Sequence, residues 1–272
     1  MMKASCDFGK IRLICSDIDG TLLRKETEIP EYVKNEIWRL HRQGITFTFA
    51  TGRLPYEVDH LFAGLPERTP YVAGNGAVIK CGDEILKEYY LIPSKLRDVA
   101  QKYNDLGMTI IFSYDDMERP LSVTPWSKSA VEMFPGLDTP ADDDVWERKL
   151  QRMFFFHPEG KYMEECRRDL AVFCDDYDIC SQNSKSIQIA PLGCTKSTGV
   201  QQLAQMLGIE RDAVLCIGDA ENDISMIRFA GIGVAVANGA EALKQIADYT
   251  TFEQFTQGVA EILKLCGQNC HN

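Results

Sequence analysis

Two apolar runs that end in carboxylates constrain this chain more than any other feature. Ile11 to Cys15 has strand character and stops at Asp17 and Asp19, with Gly20 next to let the backbone turn sharply. Much later, the wholly apolar Ala213 to Ile217 runs into Gly218-Asp219-Ala220-Glu221-Asn222-Asp223. Each reads as a buried strand whose carboxyl end opens onto polar space. By itself, Asp-x-Asp-Gly is equally the mark of an Asx-type turn, so other segments have to decide.

Strands and helices alternate around these runs. Pro30 to Gln43 carries Val33, Ile37 and Leu40 on one face, with Pro30 at the start and Gly44 past the end, which predicts an amphipathic helix. Ile45 to Ala50 reads as a second buried strand, followed by Thr51-Gly52-Arg53 and a helix opened by Pro55. A short strand, Tyr71 to Ala73, ends in the permissive turn Gly74-Asn75-Gly76-Ala77. Val78 to Lys80 and Ile85 to Tyr90 form a hairpin, after which the pattern changes. A helix from Ser94 to Asp105 capped by Ser94, a strand from Met108 to Ser113, and an irregular stretch with Pro and Trp come next. The acidic turn Asp142-Asp143-Asp144, a strand Met153 to Phe156, a helix Lys161 to Cys174 and a strand near Tyr177 to Ser181 complete this section.

Ile187 to Ala190 leads back to a helix from Thr195 to Leu207, then to the apolar strand at 213. A helix with Ile224 and Ile227, a strand Gly231 to Val236, and helices near Ala240 to Ala247 and Gly258 to Leu265 finish the alternation. Such alternation implies parallel pairing with right-handed crossovers. The expected fold is α/β: a Rossmann-like parallel-sheet core domain from residues 1–83 and 187–272, with an inserted α+β cap domain at 84–186.

Composition narrows the partners. With 272 residues, 45% hydrophobic and 25% charged, the chain resembles an ordinary globular protein of two domains, and no apolar run is long enough to span a bilayer. Met1 to Lys10 lacks an apolar signal region, so a cytoplasmic location is expected. The balance of 29 Lys+Arg against 40 Asp+Glu gives −11, which repels a phosphate backbone and disfavours nucleic acid as a partner. The ten cysteines are scattered and form no Cys-x-x-Cys pair, so they read as reduced core residues. The tail Cys266, Cys270, His271 reads as frayed chain rather than a metal site.

In an open parallel sheet, ligands bind at the carboxyl ends of the strands. Asp17, Asp19, Thr51, Gly52, Asp219 and Asp223 all fall on that edge. Crowded carboxylates repel, and a hard divalent cation with oxygen ligands relieves them; the lack of nearby His or Cys favours Mg²⁺ over zinc. Lys196 sits in a first helical turn, where a cation is mildly unfavourable unless an anion binds beside it. Thr51 and the amides around Gly52 are natural donors to the same anion. Metal, paired carboxylates, hydroxyl donors and a lysine together describe phosphoryl transfer, which needs charge neutralisation and in-line placement.

Asp17-Ile-Asp19-Gly-Thr-Leu, Thr51-Gly-Arg, Lys196 and Gly218-Asp219-x-x-Asn222-Asp223, in this order, resemble the four signature motifs of the haloacid dehalogenase superfamily. The Gly-Asn75-Gly-Ala element and the insertion after it resemble its Cof-type (subclass IIB) sugar-phosphate phosphatases. The resemblance implies that Asp17 attacks phosphorus to form an aspartyl-phosphate, while Asp19 protonates the leaving alcohol and later deprotonates water. It further implies that Mg²⁺ is held by Asp17, the Asp19 backbone carbonyl and Asp219, with Asp223 behind or through water. Thr51, Gly52, Lys196 and Asn222 would hold the phosphoryl oxygens.

The leading expectation is a Mg²⁺-dependent phosphatase acting on a small phosphorylated metabolite, as a monomer or small homo-oligomer. A phosphomutase on the same core, and a catalytically silent ligand-binding or regulatory protein, are the alternatives. Arg119, Trp126, Lys128, His157 and Lys185 are candidates for reading the leaving group, and Phe154-Phe155-Phe156 is expected in the cap core.

Overall fold

The structure is a computed structural model that describes residues 6–24, 27–66, 69–114 and 117–267. In chain order, β1 (Leu13–Ser16) leads to α1 (Glu31–Arg42), β2 (Thr46–Phe49) and the short α2 (Pro55–Val58), then to β3 (Tyr71–Ala73), β4 (Val78–Cys81) and β5 (Glu84–Glu88). There follow α3 (Arg97–Asp105), β6 (Thr109–Tyr114), β7 (Met117–Pro120), α4 (Pro125–Ser129), β8 (Arg152–Phe156), α5 (Met163–Leu170), β9 (Tyr177–Asn183) and β10 (Ser186–Pro191). The last third holds α6 (Lys196–Met206), β11 (Val214–Gly218), α7 (Ile224–Phe229), β12 (Ile232–Ala235), α8 (Glu241–Ile246), β13 (Tyr249–Thr250) and α9 (Phe255–Leu265).

Two compact units result, one from the described residues of 1–88 and 195–272, the other from 89–194. In the first, five parallel strands run in the order β13-β12-β11-β1-β2. The chain leaves β1 toward β2 on one side and returns to β11 on the other, which puts the crevice of an open sheet at the carboxyl end of β1. Ser16 pairs with Phe49 on one side and Ile217 on the other, so β1, β2 and β11 end at one level. All four residues of β1 are buried, as its apolar run predicts.

Leu13, Cys15, Val214 and Cys216 pack with Val200 and Leu203 of α6 and Met226 and Ile227 of α7. Full burial of such aliphatic side chains stabilises the fold by about 1.5–3 kcal/mol each. Helix α1 buries Val33, Ile37 and Leu40, the face its spacing predicts, and packs on β2 and α9. Arg39 donates to the carbonyls of Leu263 (2.6 Å) and Cys266 (3.1 Å), satisfying the last turn of α9. Cys15, Cys166, Cys194, Cys216 and Cys266 are buried thiols outside any disulfide, whereas Cys174 is exposed; Cys270 and His271 lie outside the described residues.

The second unit is an antiparallel sheet, β7-β6-β8-β10-β9. One face, with Ile110, Phe112, Met153, Phe155, Ile187 and Ile189, meets Ala100 and Tyr103 of α3 and Cys166 and Leu170 of α5.

Several sequence expectations change here. Ile187 to Ala190 does not lead back to the parallel sheet: it pairs antiparallel with β8 and β9, which moves the second seam from 186/187 to 194/195. A short apolar run looks the same whichever partner it takes. The first seam moves from 83/84 to 88/89 because Glu84–Glu88 stays paired with β4. Ser94 caps nothing; Pro93 opens a 3-10 turn that precedes α3. Within the irregular stretch lie β7 and α4, the latter with a Thr124–Ser127 capping box. Of Phe154-Phe155-Phe156 only Phe155 is core, since strand alternation turns the other two to the opposite face.

The turn after β3 shows why its glycines are there. Gly76 has φ +100, and a Cβ on it would lie 2.1 Å from the Thr195 carbonyl oxygen, at the N-cap of α6. Gly76→Ala is expected to lose at least about 2 kcal/mol of stability in urea unfolding. Gly82→Ala, where φ is +56 but nothing lies within 4 Å, should lose only about 1 kcal/mol for its backbone strain.

Candidate active site

The first unit gathers most of the residues expected at its strand ends. Asp17 follows β1 and is buried; Lys196, the first residue of α6, is fully buried beside it. The Lys196 Nζ donates to Asp17 Oδ1 at 2.5 Å and to Asp223 Oδ1 at 2.6 Å. The anion expected beside this lysine is therefore supplied by the chain's own carboxylates. Thr195 holds the helix start by accepting from the Thr198 N–H, and α6 can come this close because Gly199 abuts Val72 and Gly76.

Asp223 spends its second oxygen on the N–H groups of Asp219 (2.9 Å) and Ala220 (3.0 Å). It thereby fixes both Lys196 and the loop that carries Asp219. With both oxygens engaged and no exposure, Asp223 is built as an anchor behind the site. Asp219 accepts from the Thr21 hydroxyl at 2.7 Å, and its carboxylate lies against Gly20, where φ is +87 and a Cβ would collide with it. Asn238 holds the other side of this turn, donating to the Gly20 carbonyl at 2.7 Å while accepting from the Phe255 N–H.

Carboxylate oxygens of Asp17, Asp219 and Asp223 lie within 4.8 Å of one another. Three carboxylates face one ammonium. Burial pushes the Asp17 carboxyl up to about 8; Lys196 pulls it down, while Asp223 and Asp219 add repulsion. Burial likewise raises Asp219, against the Thr21 hydrogen bond that lowers it. For Lys196, burial disfavours the ammonium, but Asp17 and Asp223 more than offset this and its pKa is raised. The bare cluster is short of positive charge, and its all-oxygen donor set suits a hard cation such as Mg²⁺.

Asp19 behaves differently. Its carboxylate, with 61% of the side chain exposed, is held by the Arg53 guanidinium through Nε to Oδ2 (2.8 Å) and Nη2 to Oδ1 (2.6 Å). The hydrogen bond to Asp19 raises the pKa of Arg53. Thr51 is buried and accepts from the Arg53 N–H, while its carbonyl takes the Asn75 N–H at 2.9 Å. The Asn75 side chain lies over Gly52, where a Cβ would meet it at 3.2 Å, and accepts from Asn222 Nδ2 at 3.5 Å. Asn75 adopts φ +55, a left-handed conformation that Asn tolerates.

Thr21, Arg53, Asn75 and Asn238 thus join the site without having been assigned to it from sequence. Thr21, Arg53 and Asn75 lie within quoted motifs and Asn238 just past the strand Gly231 to Val236, but only spatial contact reveals their partners. The cap candidates belong to the second unit. Trp126 stacks on Phe156 with centroids 4.0 Å apart, His157 is buried and accepts from the Glu159 N–H, Arg119 is half-buried, and Lys128 and Lys185 are exposed.

The sequence profile of the haloacid dehalogenase-like hydrolases matches residues 14–263. The chain belongs to that family. Among relatives of this hydrolase is the 5-amino-6-(5-phospho-D-ribitylamino)uracil phosphatase YitU of Bacillus subtilis (strain 168), 28% identical over 267 residues, covering 93% of this chain and 96% of that protein. Solved structures with the same fold include BT1666 from Bacteroides thetaiotaomicron, at a TM-score of 0.79 and 20% identity, covering 96% of each chain. The subclass IIB sugar phosphatase BT4131 is similar at a TM-score of 0.76 and 22% identity, covering 93% of this hydrolase and 98% of that chain. Among the described residues, no helix is long and apolar enough to cross a membrane.

If the carboxylate cluster takes Mg²⁺, the ion at about 100 times its dissociation constant should stabilise the fold by about 2.7 kcal/mol, read from urea unfolding. Protons compete with the metal while Asp17 stays protonated, up to about 8, so the increment should grow as pH rises from 6 to 8. Asp219→Asn should remove most of it.

Proposed function

We propose that this hydrolase is a Mg²⁺-dependent phosphatase of small phosphate monoesters, sugar phosphates or similar metabolites, acting through an aspartyl-phosphate on Asp17. The observation that carries this reading is the buried Asp17 carboxylate, pinned by Lys196 at 2.5 Å at the rim of the sheet beside Asp219. One Asp17 oxygen is held by the ammonium, which orients the other toward an incoming phosphorus. Asp17, Asp219 and the Asp19 backbone carbonyl would hold Mg²⁺, with Asp223 bracing them from behind. When bound, the ion supplies positive charge to the phosphoryl oxygens. Thr51, the Gly52 amide, Lys196 and Asn222 hold those oxygens, so the charge that shifts during transfer meets fixed donors.

Asp19 serves as the acid that protonates the leaving alcohol and then as the base for water. Its exposure fits a group that must meet both substrate and solvent. The substrate class is drawn from the relatives: YitU is named for a phosphorylated ribityl compound and BT4131 as a sugar phosphatase. The proposed setting is the cytoplasm, with no nucleic-acid or membrane partner, in keeping with a net charge of −11.

Release of phosphate from p-nitrophenyl phosphate tests the chemistry. Activity should vanish with EDTA, return with Mg²⁺, and be lost in Asp17→Asn. Asp19→Asn should cut turnover by about 10²–10⁴-fold while Mg²⁺ still binds, because its backbone carbonyl survives. Metal-independent turnover, or full activity in Asp17→Asn, would sink the mechanism. A screen of phosphorylated sugars, nucleotides and phosphorylated cofactors then identifies the substrate, and a requirement for a bisphosphate activator would mark a mutase instead.

A further inference from the structure

The forked pair between Arg53 and Asp19 is the feature of the first unit that the proposed chemistry leaves unused. Nothing in the transfer of a phosphoryl group to Asp17 requires Asp19 to have a cationic partner. Yet both of its carboxylate oxygens are taken, at 2.8 and 2.6 Å, by adjacent nitrogens of one guanidinium. An exposed pair of this kind usually adds little to stability, so its geometry points to another use. Arg53 is itself firmly seated. Its N–H donates to Thr51 Oγ1 at 3.1 Å, its carbonyl accepts from the Gly74 N–H at 2.7 Å, and its Nη1 reaches the Glu57 carbonyl at 3.4 Å. Its side chain is only 25% exposed, against 61% for Asp19. The guanidinium is the fixed partner and the carboxylate the movable one.

Resting on the phosphatase reading, we infer that Arg53 is the positioning residue of Asp19: a rigid fork that sets the orientation of the proton-transfer group at the edge of the site. In the first half of the reaction an Asp17 oxygen bonds to phosphorus as the ester P–O bond breaks, and Asp19 gives its proton to the departing oxygen. In the second, a water oxygen bonds to phosphorus as the bond to Asp17 oxygen breaks, and the water's proton passes to Asp19. Each transfer needs one Asp19 oxygen to leave the fork while the other stays gripped. A planar guanidinium allows this, because its two nitrogens hold the two oxygens independently; a lysine offers one point of attachment and no plane.

This predicts a dependence on the leaving group that a substrate-binding or merely structural arginine would not show. p-Nitrophenolate departs without a proton, whereas phenolate gains from one, and the two esters otherwise present the same phosphoryl group. In Arg53→Gln, kcat/KM for phenyl phosphate should fall at least about tenfold further than for p-nitrophenyl phosphate, within the range that acid–base assistance supplies. Arg53→Lys should recover little of that difference. In an Asp19→Asn background, Arg53→Gln should cost nothing more, since the arginine acts only through the carboxylate.

Equal losses on both esters with raised KM would overturn the inference and make Arg53 a phosphoryl ligand. An additive loss in the double variant would overturn it as well. If Arg53→Gln does not fold, Arg53→Lys carries the same comparison. Absence of phosphate release by the unsubstituted protein would instead overturn the phosphatase reading, and this inference with it.

Discussion

Three buried or half-buried carboxylates held around one ammonium set the terms for the rest of the molecule. Like charges at this separation repel strongly in a partly desolvated cleft. The surrounding structure is arranged to make that repulsion tolerable. Lys196 bridges Asp17 and Asp223, backbone N–H groups at 219 and 220 satisfy the other Asp223 oxygen, and Thr21 donates to Asp219. Removing one member of such a buried set leaves a charge without its partner, which typically costs about 3–5 kcal/mol. Charge, hydrogen bonding and burial are therefore coupled, and the surplus of carboxylates is compatible with a bound cation.

The sheet makes this convergence possible. Because β1, β2 and β11 end in register, short turns bring Asp17, Thr51 and Asp219 to one rim although they are remote in sequence. The turn Gly74-Asn75-Gly76 supports the arrangement from beneath. The lack of a side chain at Gly76 admits the N-terminus of α6, and that close approach delivers Lys196 to Asp17. Asn75 meanwhile links the Gly52 turn to Asn222. Backbone strain at Asn75 and tight packing at Gly76 thus serve the placement of charged groups some distance along the chain.

Much of this was legible beforehand, and the limits are instructive. Helix α1 was readable from Val33, Ile37, Leu40 and the Pro30–Gly44 punctuation, because an amphipathic period is a local signal. Strands β1 and β11 were readable from their apolar runs. Ile187 to Ala190 was misplaced because its pairing with β8 and β9 is non-local. The aromatic run Phe154 to Phe156 misled for a related reason: composition reads as core, but alternation along a strand turns two of the three rings away. The place of Lys196 in a first helical turn is local to the sequence, but its carboxylate partners, Asp17 and Asp223, come from segments remote in the chain.

By itself the sequence determined which strands are buried, which residues could carry phosphoryl chemistry, and that they lie after strand ends, because periodicity and motif spacing act over a few residues. Only the tertiary structure decided who pairs with whom: Asp223 on Lys196 and the 219–220 amides, Thr21 on Asp219, and Arg53 on Asp19. Such pairings need donor and acceptor within about 3 Å across segments remote in the chain, and those distances exist only once the sheet has closed and the helices have packed.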